Sequence, residues 1–233
     1  MIDLVPIAVG SGSPAGCTRC APIPDAAYLS VSDIAAALAA ARGTHGVALV
    51  GPEPFSHPEL PRVIAACRDA GFKRIALETD GSALAVHGNA PGVLHAGVRH
   101  LWVRVLGAHD AAHDERIGRP GRGAAARAGC AAYRAAALEM GRAVVVTAVV
   151  PVCRHTLPEL HAIVAECGAR GFDAVRLVST GPLSASAEAM IEAACDTGMV
   201  NRIWVSTDGS LPLPASHRLH GVADGVASGG GQR

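Results

Sequence analysis

Thiol and carboxylate side chains follow apolar runs at two early points of this chain. Cys17 and Cys20 form a C-x-x-C within Gly10–Cys20, a loop rich in glycine and proline. Thiolates are ligands that suit zinc and iron–sulfur clusters. Glu53 lies in Gly-Pro-Glu-Pro, directly after the apolar run Val47–Val50. These residue types point to a metal or polar ligand bound by loops that follow strands.

The segment around Glu53 has the pattern of a strand, a tight loop and a helix. Pro58 and Glu59 suit the first turn of the helix, because proline has a fixed φ and glutamate a negative charge. In a parallel α/β sheet or barrel, ligands bind at the C-terminal ends of the strands. Glu53 is therefore a candidate binding residue, with an ordinary surface glutamate in a βα loop as the alternative.

Two later strand ends also carry polar residues. Thr79 and Asp80 follow the third predicted strand. One interpretation is that they contact a ligand, and the alternative is that they only form a helix cap or a turn. The loop after the fourth strand contains His113, Asp114 and Arg116. We interpret His113 and Asp114 as a pair that orders this loop. Arg116 can bind a carboxylate or lie in solvent.

His217 and His220 allow a different interpretation of the cysteine pair. They form H-x-x-H after the last predicted strand. Two thiolates and two imidazoles make a tetrahedral zinc site, provided that the first and last strands approach each other. The alternative is a pair of surface imidazoles in a C-terminal segment.

The elements that must position these residues alternate along the chain. Seven strands are predicted, at Leu4–Val9, Val47–Val50, Arg74–Leu77, Leu101–Leu106, Ala143–Val150, Ala174–Val178 and Arg202–Val205. Helices are predicted at Ser32–Arg42 (capped by Ser32), Pro58–Ala70, Ser82–His87, Ala124–Met140, Pro158–Arg170 and Ala185–Cys195. A long polar loop is predicted from the fourth strand to Gly123. This alternation predicts an α/β fold with parallel strands and right-handed crossovers, either a whole or partial barrel or a flat doubly wound sheet.

An internal repeat supports a barrel of similar units. Pro58–Leu77 and Pro158–Leu177 are identical at eight of twenty positions. Both segments read as a helix followed by a strand. Cys67 and Cys167 hold equivalent positions on the apolar face of each helix, so we predict that they are core residues rather than ligands.

Composition limits the class of protein. The chain has 233 residues, a formal net charge of zero and an odd number of cysteines, seven. No basic stripe indicates a nucleic-acid partner, and no apolar run approaches the ~20 residues that span a membrane. The N-terminus has no basic flank before its apolar stretch, which argues against a signal peptide. We therefore expect a cytoplasmic protein with neither a nucleic-acid nor a membrane partner.

Taken together, the four strand-end segments resemble the radical S-adenosylmethionine superfamily, over roughly residues 4–210. Gly51–Pro54 is similar to the family's G-G-E-P, and Glu78–Gly81 to its T-N-G. Val103–Gly123 is similar to the segment around its fourth strand. The cysteine loop is similar to C-x3-C-x2-C, with Ser13 in the place of the first cysteine.

The resemblance implies a single partial (βα)6 TIM-like barrel, residues 1–210, followed by a C-terminal segment, 211–233, with a flexible tail. It implies S-adenosylmethionine as a ligand and a [4Fe-4S] cluster that generates a 5′-deoxyadenosyl radical, which abstracts hydrogen from a peptide or small-metabolite substrate. The implied metal ligands are Cys17, Cys20 and Ser13. The implied cofactor-binding residues are Gly51, Glu53, Thr79, Asp80 and Arg116.

Serine at the first ligand position leaves alternatives open. Its oxygen is a harder donor than sulfur and matches iron less well, so the cluster is incomplete or absent in one interpretation. The chain would then be a non-catalytic binding subunit or a partner of another protein. A metal-independent or zinc barrel enzyme is the third hypothesis.

Overall fold

The computed structural model describes residues 4–11, 27–181, 187–208 and 211. In this part of the chain, seven parallel strands form one curled sheet. In their order across the sheet, the strands are β1 Val5–Ala8, β4 Val47–Val50, β5 Ile75–Thr79, β6 His100–Arg104, β7 Val145–Val152, β8 Ala174–Ser179 and β9 Trp204–Thr207. Two short strands, β2 Gly10–Ser11 and β3 Ala27–Tyr28, pair with each other in antiparallel fashion. The predicted α/β partial barrel with parallel strands is confirmed.

Helices cover the convex face of the sheet. The α-helices of the described residues are α1 Val31–Ala40, α2 Leu60–Asp69, α3 Asn89–Ala96, α4 Asp110–Ile117, α5 Arg122–Glu139, α6 Leu160–Ala169 and α7 Ala187–Val200. Short 3-10 helices lie at Pro54–Ser56, Ser82–Ala85 and Leu157–Glu159. None of the helices in these ranges is long and apolar enough to cross a membrane.

The two faces of the sheet differ because strand residues alternate in direction. Most of the core lies between the convex face and the helices, in two large apolar clusters. A much smaller cluster lies on the concave face, and it includes Ala48, Ala76 and Trp102. The alternation also places Glu78, Arg104 and Arg176 on that concave face, where charged groups lie beside the small apolar cluster.

The internal repeat corresponds to two equivalent helix–strand units. Cys67 on α2 and Cys167 on α6 are both buried in the apolar clusters, as predicted for core residues. Burial raises the pKa of each thiol to about 12, which is unfavourable for metal binding by a thiolate. Each helix begins after an equivalent glutamate, Glu59 or Glu159.

Several predicted boundaries were wrong. Ser30 caps α1 rather than Ser32, because its hydroxyl accepts a hydrogen bond from the Asp33 amide at 3.2 Å. The α2 helix starts at Leu60 rather than Pro58, after the 3-10 turn Pro54–Ser56. The helices α3 and α4 were not predicted. Pro91 and Gly92 interrupt the helical pattern of α3, and α4 has many charged residues and few apolar ones. Their apolar residues are few but buried, so tertiary packing overrides the weak local pattern.

Candidate functional site

Glu53 follows β4 at the C-terminal edge of the sheet, as predicted. The chain turns at Gly51, whose φ of +118° favours glycine. Glu53 then caps the 3-10 helix Pro54–Ser56, with its Oε1 accepting a hydrogen bond from the Phe55 amide at 3.3 Å. Its backbone carbonyl accepts a hydrogen bond from the Tyr28 hydroxyl at 3.0 Å. These contacts fix both the backbone and the carboxylate of Glu53.

Donors from two neighbouring strand ends converge on the Glu53 carboxylate. The Thr79 hydroxyl donates to Oε1 at 2.7 Å, and the Asp80 amide donates to Oε2 at 2.8 Å. Arg104 donates to Oε2 at 3.3 Å. Burial raises the pKa of Glu53, and the nearby Asp80 charge adds to this, while Arg104 and the hydrogen bonds act in the opposite direction. The structure thus brings Glu53, Thr79 and Asp80 together, as the sequence predicted.

The loop that carries Thr79 and Asp80 has its own internal hydrogen bonds. The Gly81 amide donates to the Thr79 hydroxyl at 3.0 Å. The Ser82 amide and hydroxyl both donate to Asp80 Oδ1, at 2.8 and 2.6 Å. Arg122 donates to Ser82 at 2.6 Å and lies 3.7 Å from Asp80 Oδ2. The loop therefore presents its donors to Glu53 in a fixed arrangement.

Arg104 belongs to the site but was not among the predicted site residues. It is only 3% exposed and lies between Glu53 and Glu78, with its Nε 4.0 Å from the Glu78 carboxylate. Among the described residues, its Nε and Nη1 have no hydrogen-bond partner. One signal in the sequence could have identified the charged residues of the concave face. Glu78, Arg104 and Arg176 each lie within an otherwise largely apolar strand, in β5, β6 and β8 respectively.

Arg116 is the last of the predicted cofactor-binding residues. It donates hydrogen bonds to the carbonyl of Leu106 and to the carboxylate of Glu159. It thereby links the residues after β6 to the start of α6. This position suits a structural ion pair, so its predicted role in cofactor binding remains a prediction.

His113 and Asp114 order the loop after β6. His113 Nδ1 accepts a hydrogen bond from the Leu106 amide at 3.2 Å, and burial lowers the pKa of the imidazole. Asp114 accepts hydrogen bonds from the amides of Gly123, at 2.7 Å, and Gly121. These bonds, that of Gly123 foremost, hold the pKa of Asp114 below its ordinary value. The contacts agree with the predicted loop-ordering pair.

We expect Asp114→Asn to lower the free energy of unfolding by ~1 kcal/mol at neutral pH, since it weakens hydrogen bonds to a charged group. A carboxyl group whose pKa is lowered by folding stabilises the protein above its unfolded pKa, near 3.8. The deficit should therefore disappear as the pH falls through the folded pKa of Asp114. Urea unfolding at several pH values measures this. Asp69→Asn, at an exposed position, is the control, and an equal deficit in both variants would contradict the prediction.

The predicted metal ligands Ser13, Cys17 and Cys20 lie outside the described residues, as do His217 and His220. Within the described ranges, no group of three or more His, Cys, Asp or Glu side chains is arranged to hold a metal ion. The iron–sulfur and zinc hypotheses therefore rest on the sequence.

Comparison with solved structures supports the fold. SuiB from Streptococcus suis bound to S-adenosylmethionine has a TM-score of 0.56 and 13% identity, over 88% of this chain and 46% of that one. SuiB bound to the precursor peptide SuiA has a TM-score of 0.60 and 11% identity, over 89% and 50%. Native anSMEcpe with bound AdoMet has a TM-score of 0.63 and 12% identity, over 88% and 64%.

The chain thus spans between 46% and 64% of the length of these solved chains. At this level of identity, the similarity shows a shared fold. No family model and no curated protein matches the sequence.

Proposed function

We propose that this chain binds S-adenosylmethionine at the C-terminal edge of β4, β5 and β6, with Glu53 facing the methionine amino group. One observation carries the proposal: donors from successive strand ends fix a single carboxylate at the edge of a partial barrel. Proteins that share this fold have been solved with the same ligand. The Glu53 side chain is 22% exposed, so a ligand can approach it.

Glu53 can accept a cationic group of the ligand if the hydrogen bond from Arg104 to Glu53 is given up. Each Glu53 oxygen already accepts two hydrogen bonds, and the bond from Arg104, at 3.3 Å, is a long one. Glu78 is a second carboxylate near the same guanidinium. A ligand ammonium can therefore replace Arg104 at Glu53 while the guanidinium pairs with Glu78. An ammonium beside Glu53 favours the ionised carboxylate and opposes the rise in pKa that burial causes.

We further propose hydrogen abstraction from a peptide substrate, with a [4Fe-4S] cluster held by Cys17, Cys20 and Ser13. A cluster of this kind supplies the electron that the reaction requires. The peptide class is supported by the structural similarity to SuiB bound to its precursor peptide. A second candidate, a binding protein without radical chemistry, is favoured by Ser13 in place of cysteine and by the Arg104 contact at Glu53.

We expect Glu53→Gln to weaken S-adenosylmethionine binding roughly tenfold or more. A hydrogen bond to a charged group contributes about 1.5–3 kcal/mol, and the amide removes that charge. Titration calorimetry measures the affinity, and circular dichroism checks the fold. Glu59→Gln, which changes a carboxylate paired with Arg62 on the surface, should leave the affinity unchanged. Equal affinity in Glu53→Gln and wild type would remove Glu53 from the site.

We expect Ser13→Cys to raise iron and sulfide content after anaerobic reconstitution, towards about four irons per chain. The change completes a set of three thiolates, which are better ligands for iron than a serine oxygen. Cys17→Ala in the same background should abolish the gain. Ser11→Cys, an exposed serine nearby, is the matched control.

Full loading of the wild type with no effect of Ser13→Cys would show that Ser13 is not at the ligand position. If neither protein takes up iron, the cluster proposal fails and the binding protein becomes the leading candidate. S-adenosylmethionine binding by Glu53 is tested independently by the calorimetry.

A further inference from the structure

A cavity of about 320 Å³ lies on the convex side of the sheet, between β6, α5 and the turn after α6. We call it the α5 cavity. Its apolar lining includes Val103 and Val105 of β6, Ala126 and Cys130 of α5, and Phe172. The volume is at the lower end of the range of small-molecule sites, which are concave and mostly apolar.

The α5 cavity lies where the convex-side core divides. Val103 belongs to one large apolar cluster and Val105 to the other, although they are two residues apart on β6. Phe172 packs against both clusters. Protein interiors are normally filled at close-packed density, and here the small side chains of Ala126 and Cys130 leave room between the two clusters.

Arginine side chains give the α5 cavity a cationic rim. Arg127, Arg134 and Arg170 line it, with side chains that are 45%, 37% and 20% exposed. Their carboxylate partners are Asp110, Asp173 and Glu166, none of which is among the residues that line the cavity. The cavity is therefore lined by the arginines and not by their carboxylate partners.

The arginines of the rim change the pKa of a thiol inside the cavity. Burial raises the pKa of the Cys130 thiol to about 11, and Arg134 and Arg170 oppose that rise. The Cys130 thiol in the lining thus experiences the positive field of two arginines, which favours an anionic ligand group at the rim.

We propose that the α5 cavity binds a small aromatic carboxylate. The aromatic body fits the apolar floor beside Phe172, where an edge-to-face or offset ring contact is available. The carboxylate lies at the rim, where Arg134 and Arg170 can donate paired hydrogen bonds. Arg104 also lines the cavity, but its guanidinium pairs with Glu53 on the concave face, so the strand β6 separates this site from the Glu53 carboxylate.

The test uses two matched probes, 4-fluorobenzoate and 4-fluorobenzyl alcohol, titrated at low salt and followed by fluorine NMR. We expect saturable binding of the carboxylate, with a Kd of about 1 mM or below. The alcohol, which has a similar ring and no charge, should bind at least about fivefold more weakly. Absence of saturation up to about 10 mM, or equal affinity for both probes, would overturn the proposal.

Variants locate the probe and separate charge from packing. Cys130→Leu fills the cavity and should abolish binding. Ala131→Leu, at an exposed position in the lining, provides the same test if the first variant does not fold. Arg134→Gln should weaken the carboxylate at least about threefold and leave the alcohol unchanged, whereas Arg62→Gln on α2 should change neither.

Binding that survives both leucine variants places the probe elsewhere and overturns the proposal. Displacement of the probe by S-adenosylmethionine would do the same, since it would place the probe at the concave site.

Discussion

Arg104→Met is expected to lower the free energy of unfolding by about 3–5 kcal/mol near neutral pH. The guanidinium is 3% exposed and is the cation that lies between the Glu53 and Glu78 carboxylates. Without it, the largely buried Glu53 loses its counter-charge, and Glu78 keeps only the weaker effect of Arg176. Removal of one partner from a buried ion pair is strongly destabilising because the remaining charge is uncompensated. Urea unfolding monitored by circular dichroism measures the change.

The loss should depend on pH with a defined sign. Burial already raises the pKa of both Glu53 and Glu78 above the ordinary value of 4.5, and Arg104 opposes that rise. In the variant, both carboxyl groups retain protons that the unfolded chain releases above pH 4.5. Stability then falls as the pH rises through this range, so the deficit is larger at about pH 8 than at about pH 5.

Arg62→Met is the matched control for this experiment. Arg62 pairs with Glu59 on the surface, and the two side chains are 73% and 40% exposed. Exposed ion pairs contribute about 0–1 kcal/mol. Equal losses in Arg104→Met and Arg62→Met, or a loss in Arg104→Met that does not vary with pH, would show that the buried charges do not determine stability here.

Gly129→Ala is expected to destabilise the protein by about 1–3 kcal/mol or more and to displace the loop that holds Glu53. A Cβ atom at Gly129 on α5 would lie 1.9 Å from the carbonyl oxygen of Gly81 and 3.1 Å from Leu84. The close neighbour is backbone, so the helix or the loop must move. Because Thr79 and Asp80 precede Gly81 and donate to Glu53, S-adenosylmethionine affinity should fall together with stability.

Gly92→Ala provides the opposite case. Gly92 lies in α3 and is exposed, and no atom lies within 4 Å of a Cβ atom built at this position. Alanine is favoured over glycine in a helix by about 0.5–1 kcal/mol, so this variant should be as stable as the wild type or more so. Thermal unfolding and calorimetry of both variants test the pair. If Gly129→Ala behaves like Gly92→Ala, the close approach of α5 to the Gly81 loop is not required.

The sequence by itself determined the fold class and three residues of the candidate site. Short apolar runs that alternate with amphipathic segments allow few arrangements other than parallel strands with helices between them. Glu53, Thr79 and Asp80 could be predicted to meet because the C-terminal ends of parallel strands share one edge. The repeat that contains Cys67 and Cys167 likewise predicted equivalent core positions, since similar helix–strand units pack the same side chains against the sheet.

Tertiary structure decided the features that depend on residues far apart in the chain. Arg104 binds Glu53 because the alternation along β6 turns it to the concave face, and its distance from two carboxylates depends on the curl of the sheet. The α3 and α4 helices form despite weak local patterns because a few of their residues reach the core. The α5 cavity exists because two apolar clusters meet imperfectly at β6. Local patterns in a sequence specify periodicity and turns, whereas the separation of non-adjacent side chains is set only when the whole sheet and its helices pack.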